Sequence, residues 1–368
     1  MELILPPNPP SNYIPPSGPS DAKIMIIGEA GGEVEAREQV PFCGPTGSVL
    51  TQLCRDAGIS RDECRIDNVV PFRPPDNNFK YFYKDRPDIL EWGKARILAE
   101  IQTVNPVVVV LAGNEALKAV AGVDGITVRR GNILELSYGH KAIPIIHPAM
   151  ILREWSGYAV TKFDFEKIAR ESGSREIVLD TPLVHTRPTW DWVNIWLTRA
   201  GMATKLAVDI EVMNDGIDSI GLSWESGVGV SIPFATDSGN GSYWNEGHEH
   251  TIWQSLKYIL ELPDRTYILQ NAMYDMFQLE RMCGIRIGGG HTNTIHDTML
   301  MFNLIYPELP KSLDFLASIY LNTNYWGEAP KQLSEERWRY NATDAAVTYM
   351  IHEPILTELN ERRMEVAI

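Results

Sequence analysis

The stretch Lys205-Leu-Ala-Val-Asp-Ile-Glu-Val-Met-Asn214 places two carboxylates, Asp209 and Glu211, inside an otherwise apolar run. Leu206 to Val212 reads as a buried strand, and residues two apart on a strand point to the same face. Asp209 and Glu211 therefore project side by side. Burying two like charges together is costly unless a cation or another partner compensates. The partner that carboxylate oxygens favour is a divalent metal, Mg²⁺ or Mn²⁺. An edge strand with solvated acids is the alternative, and the apolar flanks weigh against it. Two further pairs recur at a spacing of four, Asn271 with Asp275 and Tyr340 with Asp344. Four apart on a helix means one face. A solvated helix face is the plain reading of Asp275 and Asp344, and their register with Asn271 and Tyr340 weighs against it.

A second set of candidates lies in the first half. Ala22-Lys-Ile-Met-Ile-Ile-Gly28 reads as a short buried strand running into Glu29-Ala-Gly-Gly-Glu-Val-Glu35, a loop whose glycines let backbone approach a ligand closely. Pro41-Phe-Cys-Gly-Pro-Thr-Gly47 precedes a helical pattern from Ser48 to Ala57. Cys64 to Phe72 reads as a strand with Asn68 inside it. A helix from Pro87 to Val104 leads to the strand Val107 to Leu111, and the strand Ala142 to Ile146 ends in His147-Pro-Ala149. Strands alternating with helices predict a parallel α/β sheet, with its ligand site beyond the strand C-termini. Gly28-Glu29, Asn68 and His147 fall at such ends. Singly, Phe42 reads as core, Asn68 as a turn and His147 as a satisfied core histidine; as an ordered set they converge on one edge.

Composition bounds what these sites can serve. The chain has 368 residues, 44% of them hydrophobic, enough for two domains with full cores. Its net charge of −15 argues against a protein that coats DNA non-specifically. It leaves room for an enzyme that grips a few nucleotides in a metal-bearing cleft. The four cysteines form no CxxC pair, so neither zinc nor a disulfide framework is expected. No segment approaches the ~20 apolar residues of a membrane span, and the start does not read as a signal peptide. A cytoplasmic protein with no membrane partner is expected.

Residues 1–20 are Pro-rich and read as an extended arm. Glu171-Ser-Gly-Ser-Arg-Glu176 reads as a linker, giving domains over 21–173 and 174–368. Ile177 to Leu179 reads as a fresh strand. Thr189 to Ala200 reads as an amphipathic helix whose Trp190, Trp192 and Trp196 are expected to pack in the core, with nucleic-acid stacking as the alternative. Ser219 to Trp224 and Gly227 to Pro233 predict an antiparallel meander, followed by a loop over Thr236 to Gly247. Helices are expected over Glu249 to Leu260, from Gln270 to Met282, from His296 to Asn303, over Arg337 to Ala346 and from Ala345 to Val366, with a strand over Thr266 to Leu269.

Gly28-Glu-Ala-Gly-Gly-Glu-Val-Glu35, Pro41-Phe-Cys-Gly44, Asn68-Val-Val-Pro-Phe-Arg-Pro-Pro75 and His147-Pro-Ala149 resemble, in order, the uracil-DNA glycosylase superfamily, in particular its family 4 branch. The resemblance implies a parallel-sheet α/β/α domain that acts on uracil-containing DNA. It implies that Phe42 stacks on a flipped uracil, that Asn68 reads its Watson–Crick edge and that Ala30 is a further substrate contact. His147 would donate to O2 as the uracil anion leaves, and Glu29, with Glu35, would position the attacking water. A flipped base does need an aromatic platform and an amide with both donor and acceptor, and a leaving anion needs a donor aimed at its charge. The departures are Gly31 where the family has Pro and Ala149 where it has Ser. The cysteines of the family's iron–sulfur cluster are missing, with Phe72 where one is expected, so no cluster is predicted. A domain that excises uracil and one that only binds uracil or single strands both fit.

Asp-x-Glu at 209–211, Asn-x-x-x-Asp at 271–275 and Tyr-x-x-x-Asp at 340–344 resemble the DnaQ-like 3′–5′ exonucleases. His296-Asp-Thr-Met-Leu300 and Leu313-Asp-Phe-Leu-Ala317 resemble the Klenow-type proofreading domain of family A DNA polymerases. The resemblance implies a mixed-sheet, ribonuclease H-like domain acting on single-stranded 3′ ends with two divalent ions about 4 Å apart. It implies that Asp209, Glu211 and Asp344 hold one ion, that Asp209 and Asp275 share the second, that Tyr340 orients the water and that Asn271 steadies the network. Asp297 could line the site or cap its helix. Some phage family A polymerases have this two-domain order, so a polymerase domain or subunit is an expected partner. No polymerase domain is expected within the residues up to Ile368. The whole is expected to be an α/β hydrolase in phage-type replication or repair; a platform that docks a polymerase is the alternative.

Overall fold

Runs of Ile and Val make the strands of the first sheet: β1 (Ile24–Ala30), β2 (Arg65–Val70), β3 (Val108–Ala112), β4 (Leu134–Glu135) and β5 (Lys141–Ile145). In the computed structural model, which describes residues 6, 8–239, 241–289, 294–327 and 330–362, their order is β2-β1-β3-β5-β4. Every junction is parallel except β4 with β5. Both faces are covered, which is why β3 and the first four residues of β1 are continuously apolar rather than alternating. Met25, Ile27, Val109 and Leu111 pack with residues of the Pro87–Val104 helix. Ile24, Ile26, Val108 and Val110 pack with the Pro45–Asp56 and Gly157–Glu171 helices. The strand order reverses at β1, which opens a crevice at the C-terminal edge.

The chain divides into two compact units, Met1–Leu179 with Asn322–Tyr325, and Asp180–Leu321 with Trp326–Ile368. Three expectations in the first unit change. Strand β1 continues through Glu29 to Ala30, because Ala30 still pairs with Val70, and a short helix, Glu33–Glu38, follows where a loop was expected. The Pro-rich arm is extended but seated. Ser17 and Ile66 exchange backbone hydrogen bonds of 2.9 Å, and Ile14 is buried. Ile177 and Leu179 form no strand; they pack against the first unit's core. Residues 1–5 and 7 of the arm lie outside the described residues.

The second sheet is mixed: β6 (Leu183–His185), β7 (Lys205–Met213), β8 (Gly216–Ser223), β9 (Val228–Pro233), β10 (Thr266–Leu269) and β11 (Thr294–Asp297), in the order β11-β10-β7-β8-β9-β6. Strands β7, β8 and β9 form the antiparallel meander, while β10 runs parallel to both β7 and β11. One long helix, Glu335–Glu361, lies on this sheet. It can do so because β8 and β9 present glycines to it. A Cβ at Gly221 would stand 2.6 Å from the Asn341 carbonyl oxygen, and one at Gly229 would stand 2.0 Å from that of Ala342.

Four readings of this unit are corrected. The helices expected over Arg337 to Ala346 and from Ala345 are one helix that begins at Glu335, where the Ser334 side chain caps it; the expected end at Val366 lies outside the described residues. His296 and Asp297 end strand β11 instead of opening a helix, which starts at Thr298. Asn271 is not helical but caps the Ala272–Cys283 helix with a left-handed backbone, φ 60°. Trp196 is core as expected, whereas Trp192 is 55% exposed. Among the described residues no helix is long and apolar enough to cross a membrane.

Candidate active sites

In the first unit, Glu29, Ala30, Glu35, Phe42, Asn68 and His147 line one cavity of about 290 Å³. Glu29 is the penultimate residue of β1, and Asn68 lies in β2 opposite Gly28. His147 follows β5 and caps the turn that begins at Pro148. The Asn68 backbone is clamped: its N–H donates to Asp67 Oδ1 at 2.7 Å and its carbonyl accepts from Arg96 at 2.5 Å, while Arg96 and Asp67 form a buried ion pair. The side chain is only 2% exposed, yet its Nδ2 has no hydrogen-bond partner. A buried donor left unpaired is expensive, so this amide is built for something that enters the cavity.

Phe42 is held in a left-handed conformation, φ 51°, from both ends. Its N–H donates to Glu35, as does that of Gly32, and its carbonyl accepts from Arg61 at 2.6 Å. Glu35 thus spends its carboxylate on the backbone that presents the ring, a change from the expected role beside the water. The Phe42 ring lies 5.6 Å from that of His147. His147 Nδ1 accepts the Ala149 N–H at 3.1 Å. Burial lowers its pKa to about 4, so the ring is neutral and carries its proton on Nε2. Burial, reinforced by the charge of Glu115, raises the Glu29 carboxyl to about 7. Glu29 also fills the space beside Gly113, where a Cβ would stand 2.5 Å from its Oε1. The glycine at position 31 has a local cause too, because a Cβ there would meet Ile14 of the seated arm at 1.9 Å.

The thiols do not suit an iron–sulfur cluster, which needs four converging thiolates. Cys54 and Cys64 are buried, with the Cys64 thiol donating to the Ser60 carbonyl at 3.5 Å, Cys43 is exposed, and Cys283 belongs to the second unit. Phe72 is fully buried against Tyr13 and Trp92.

In the second unit, β7 presents Asp209 and Glu211, the Ala272–Cys283 helix presents Asp275, and the long helix presents Tyr340 and Asp344. Asp209 is pushed well above the usual range by burial and by the charges of Asp344, Asp275 and Glu211. Burial raises Glu211 and Asp275 to about 7 and Asp344 to about 8, with neighbouring acids adding to each. The pKa of Tyr340 is raised, first by burial and then by the charge of Asp344.

A hard, oxygen-only donor set with this excess of negative charge fits Mg²⁺ or Mn²⁺. Each carboxylate nevertheless has a protein partner. Asp209 accepts from Asn341 at 2.7 Å, Asp275 from the Ile210 N–H at 3.0 Å and Asp344 from Trp326 at 2.9 Å, while Glu211 forms an ion pair with Arg337 at 2.7 Å. Among the described residues, no three His, Cys, Asp or Glu side chains are drawn together closely enough to hold an ion.

Sequence reasoning missed Asn341, Arg337 and Trp326. Asn341 is 0% exposed and links Ser231 on β9, at 2.7 Å, to Asp209. Arg337 and Asn341 are themselves four apart, the same spacing that marked Tyr340 and Asp344, so the signal was present. Asn271 makes its contact through its backbone: its N–H and that of Ala272 donate to Asp297, at 3.1 and 2.9 Å. Asp297 also accepts from Met299 and Leu300. It therefore caps two helices and positions the one that carries Asp275.

Comparison with known proteins agrees with both geometries. The profile of the uracil DNA glycosylase superfamily matches residues 15–171, and a 3′–5′ exonuclease profile of the DNA polymerase A kind matches residues 189–360. A type-4 uracil-DNA glycosylase of Thermotoga maritima is 37% identical over 150 residues, 40% of this chain and 74% of that protein. One from Saccharolobus solfataricus is 32% identical over 178 residues, 46% of this chain and 80% of that protein. A DNA polymerase of Bacillus phage SP01 is 25% identical over 326 residues, 78% of this chain, which spans 33% of that polymerase. Through its first unit the chain belongs to the type-4 uracil-DNA glycosylase family, and its second unit is a 3′–5′ exonuclease domain.

Proposed function

We propose that this chain releases uracil from DNA in its first unit and removes nucleotides from DNA 3′ ends in its second. The observation that carries the first half is the unpaired Asn68 Nδ2 in a cavity walled by Phe42. A flipped uracil offers a face for the ring, an acceptor O4 for Nδ2 and a donor N3–H for the amide oxygen. The C1′–N1 bond breaks with its electron pair moving to the base, and the His147 Nε2–H stabilises the developing anion at O2. Glu29, with its pKa near 7, takes the proton of the water that attacks C1′.

The charges of Asp344, Asp275 and Glu211 acting on Asp209 support the second half. Asp209, Glu211, Asp275 and Asp344 would hold two divalent cations, which when bound supply an activated water and neutralise charge at the leaving 3′ oxygen. Asn341 fixes the direction of Asp209. Tyr340, steadied through Asp344, orients the attacking water by its hydroxyl. The likeness to a phage DNA polymerase across both units supports a role in phage-type replication or repair. There the chain would act in the cytoplasm, the host's if phage-encoded, beside a polymerase domain or subunit.

A 5′-labelled single-stranded oligonucleotide with one internal uracil tests both halves. Incubation with Mg²⁺ should give a ladder shortening from the 3′ end. Incubation in EDTA followed by alkali should give a single break at the uracil. A ladder without the alkali-dependent break, on single and double strands alike, would make the first unit a uracil-binding module. Neither product would leave a polymerase-docking platform.

A further inference from the structure

Arg337 stands where no motif requires a cation. It is 5% exposed and makes two kinds of contact. One is to Asp218 on β8, itself 3% exposed, through Nε at 2.8 Å and Nη2 at 3.2 Å. The carbonyls of Val212 and Pro330, at 3.1 and 3.0 Å, complete that seat. The other contact is Nη2 to Glu211 at 2.7 Å. Asp218 alone already neutralises the guanidinium in two-point geometry, so Glu211 is a surplus partner. The Val212 contact falls where the β7–β8 register shifts, between Glu211 and Val212, so the same side chain pins the backbone that aims Glu211.

A guanidinium keeps its charge at any working pH and prefers carboxylates in two-point contact. A divalent ion that takes Glu211 must therefore draw it away from Arg337, and must sit beside a fixed positive charge in a poorly solvated place. We propose that Arg337 is a built-in competitor for Glu211, holding that carboxylate in the ion-free chain and lowering the cation affinity of the exonuclease site, with Asp218 as the anchor that retains Arg337 when Glu211 turns to the ion. The inference rests on the reading of Asp209, Glu211, Asp275 and Asp344 as cation ligands. Arg337 acts only through Glu211 and is a positioning residue.

The test is Mn²⁺ binding to the full chain, measured by the electron paramagnetic resonance of free Mn²⁺, without substrate. The double variant Arg337→Gln with Asp218→Asn removes the buried pair together, leaving no lone charge. Its dissociation constant for Mn²⁺ should fall by about 10-fold or more. Asp218→Asn alone leaves Arg337 leaning wholly on Glu211, and its constant should rise. Opposite shifts from two substitutions in one ion pair are not what loss of packing produces. Equal constants in all three proteins, or weaker binding in both variants, would overturn the inference while leaving the cation site intact. If the double variant does not fold, a constant for Asp218→Asn at or below that of the wild type overturns it. No Mn²⁺ binding by the wild type would instead remove the reading of the site itself.

Discussion

The cavity of the first unit and the carboxylate site of the second are finished in opposite senses. In the first, the backbone is braced by side chains, and among the residues that line the cavity Asn68 Nδ2 is the buried donor left over. In the second, every acid has a partner and what is left over is charge. A spare neutral donor beside an aromatic ring suits a planar, uncharged heterocycle. Surplus negative charge suits a cation that brings a phosphodiester with it. The two sites should accordingly answer to different perturbations, and each expected outcome below is a way to force them apart or to find that they are not separable.

Asp209→Ala should give the largest split. Exonuclease activity should fall by at least about 10³-fold while uracil release in EDTA keeps its rate, read on the same labelled oligonucleotide. Equal losses in both would end the comparison. Glu29→Gln should do the converse, lowering single-turnover base release by about 10²-fold or more with the 3′ ladder unchanged. The wild-type rate of base release should rise with pH through about 7, because Glu29 must be ionised. His147, neutral above about 4, should add no second inflection in that range. A flat profile in the wild type would remove Glu29 as the base.

Asn341→Ala should lower exonuclease activity by about 10–100-fold through a misdirected Asp209, and should leave base release alone. The smallest effect is on stability. In the folded, ion-free chain Asp275 and Asp344 keep protons up to about 7 and 8, whereas the unfolded chain gives them up near about 4. The folded state then binds more protons between those values, so stability should fall as pH rises from about 5 to 8. Mg²⁺ should offset the loss at pH 8, measured as a rise in Tm of a few degrees, and Asp275→Asn with Asp344→Asn should flatten the slope.

Much of this was legible in the chain. The Asp209/Glu211 strand, the Pro87–Val104 helix and the ordered first-half candidates depend on local periodicity and turn chemistry, and the structure gathers Glu29, Phe42, Asn68 and His147 into one cavity. Three things were not. Glu35 reads as a site acid but serves two backbone N–H groups, which only the three-dimensional path of the 32–42 segment reveals. His296 and Asp297 carry a helical pattern, but pairing with β10 makes them strand, a tertiary override of local preference. Arg337 looks like a solvated helix charge until Gly221 and Gly229 let that helix settle onto the sheet.

Asp297 has a consequence for how the second unit opens. One carboxylate accepts four backbone N–H groups, from Asn271, Ala272, Met299 and Leu300, and so staples the starts of two helices that are distant in sequence. Neither helix start can fray without releasing the other. The four amides should therefore exchange with solvent deuterium as one cooperative group, at a rate set by a single opening event.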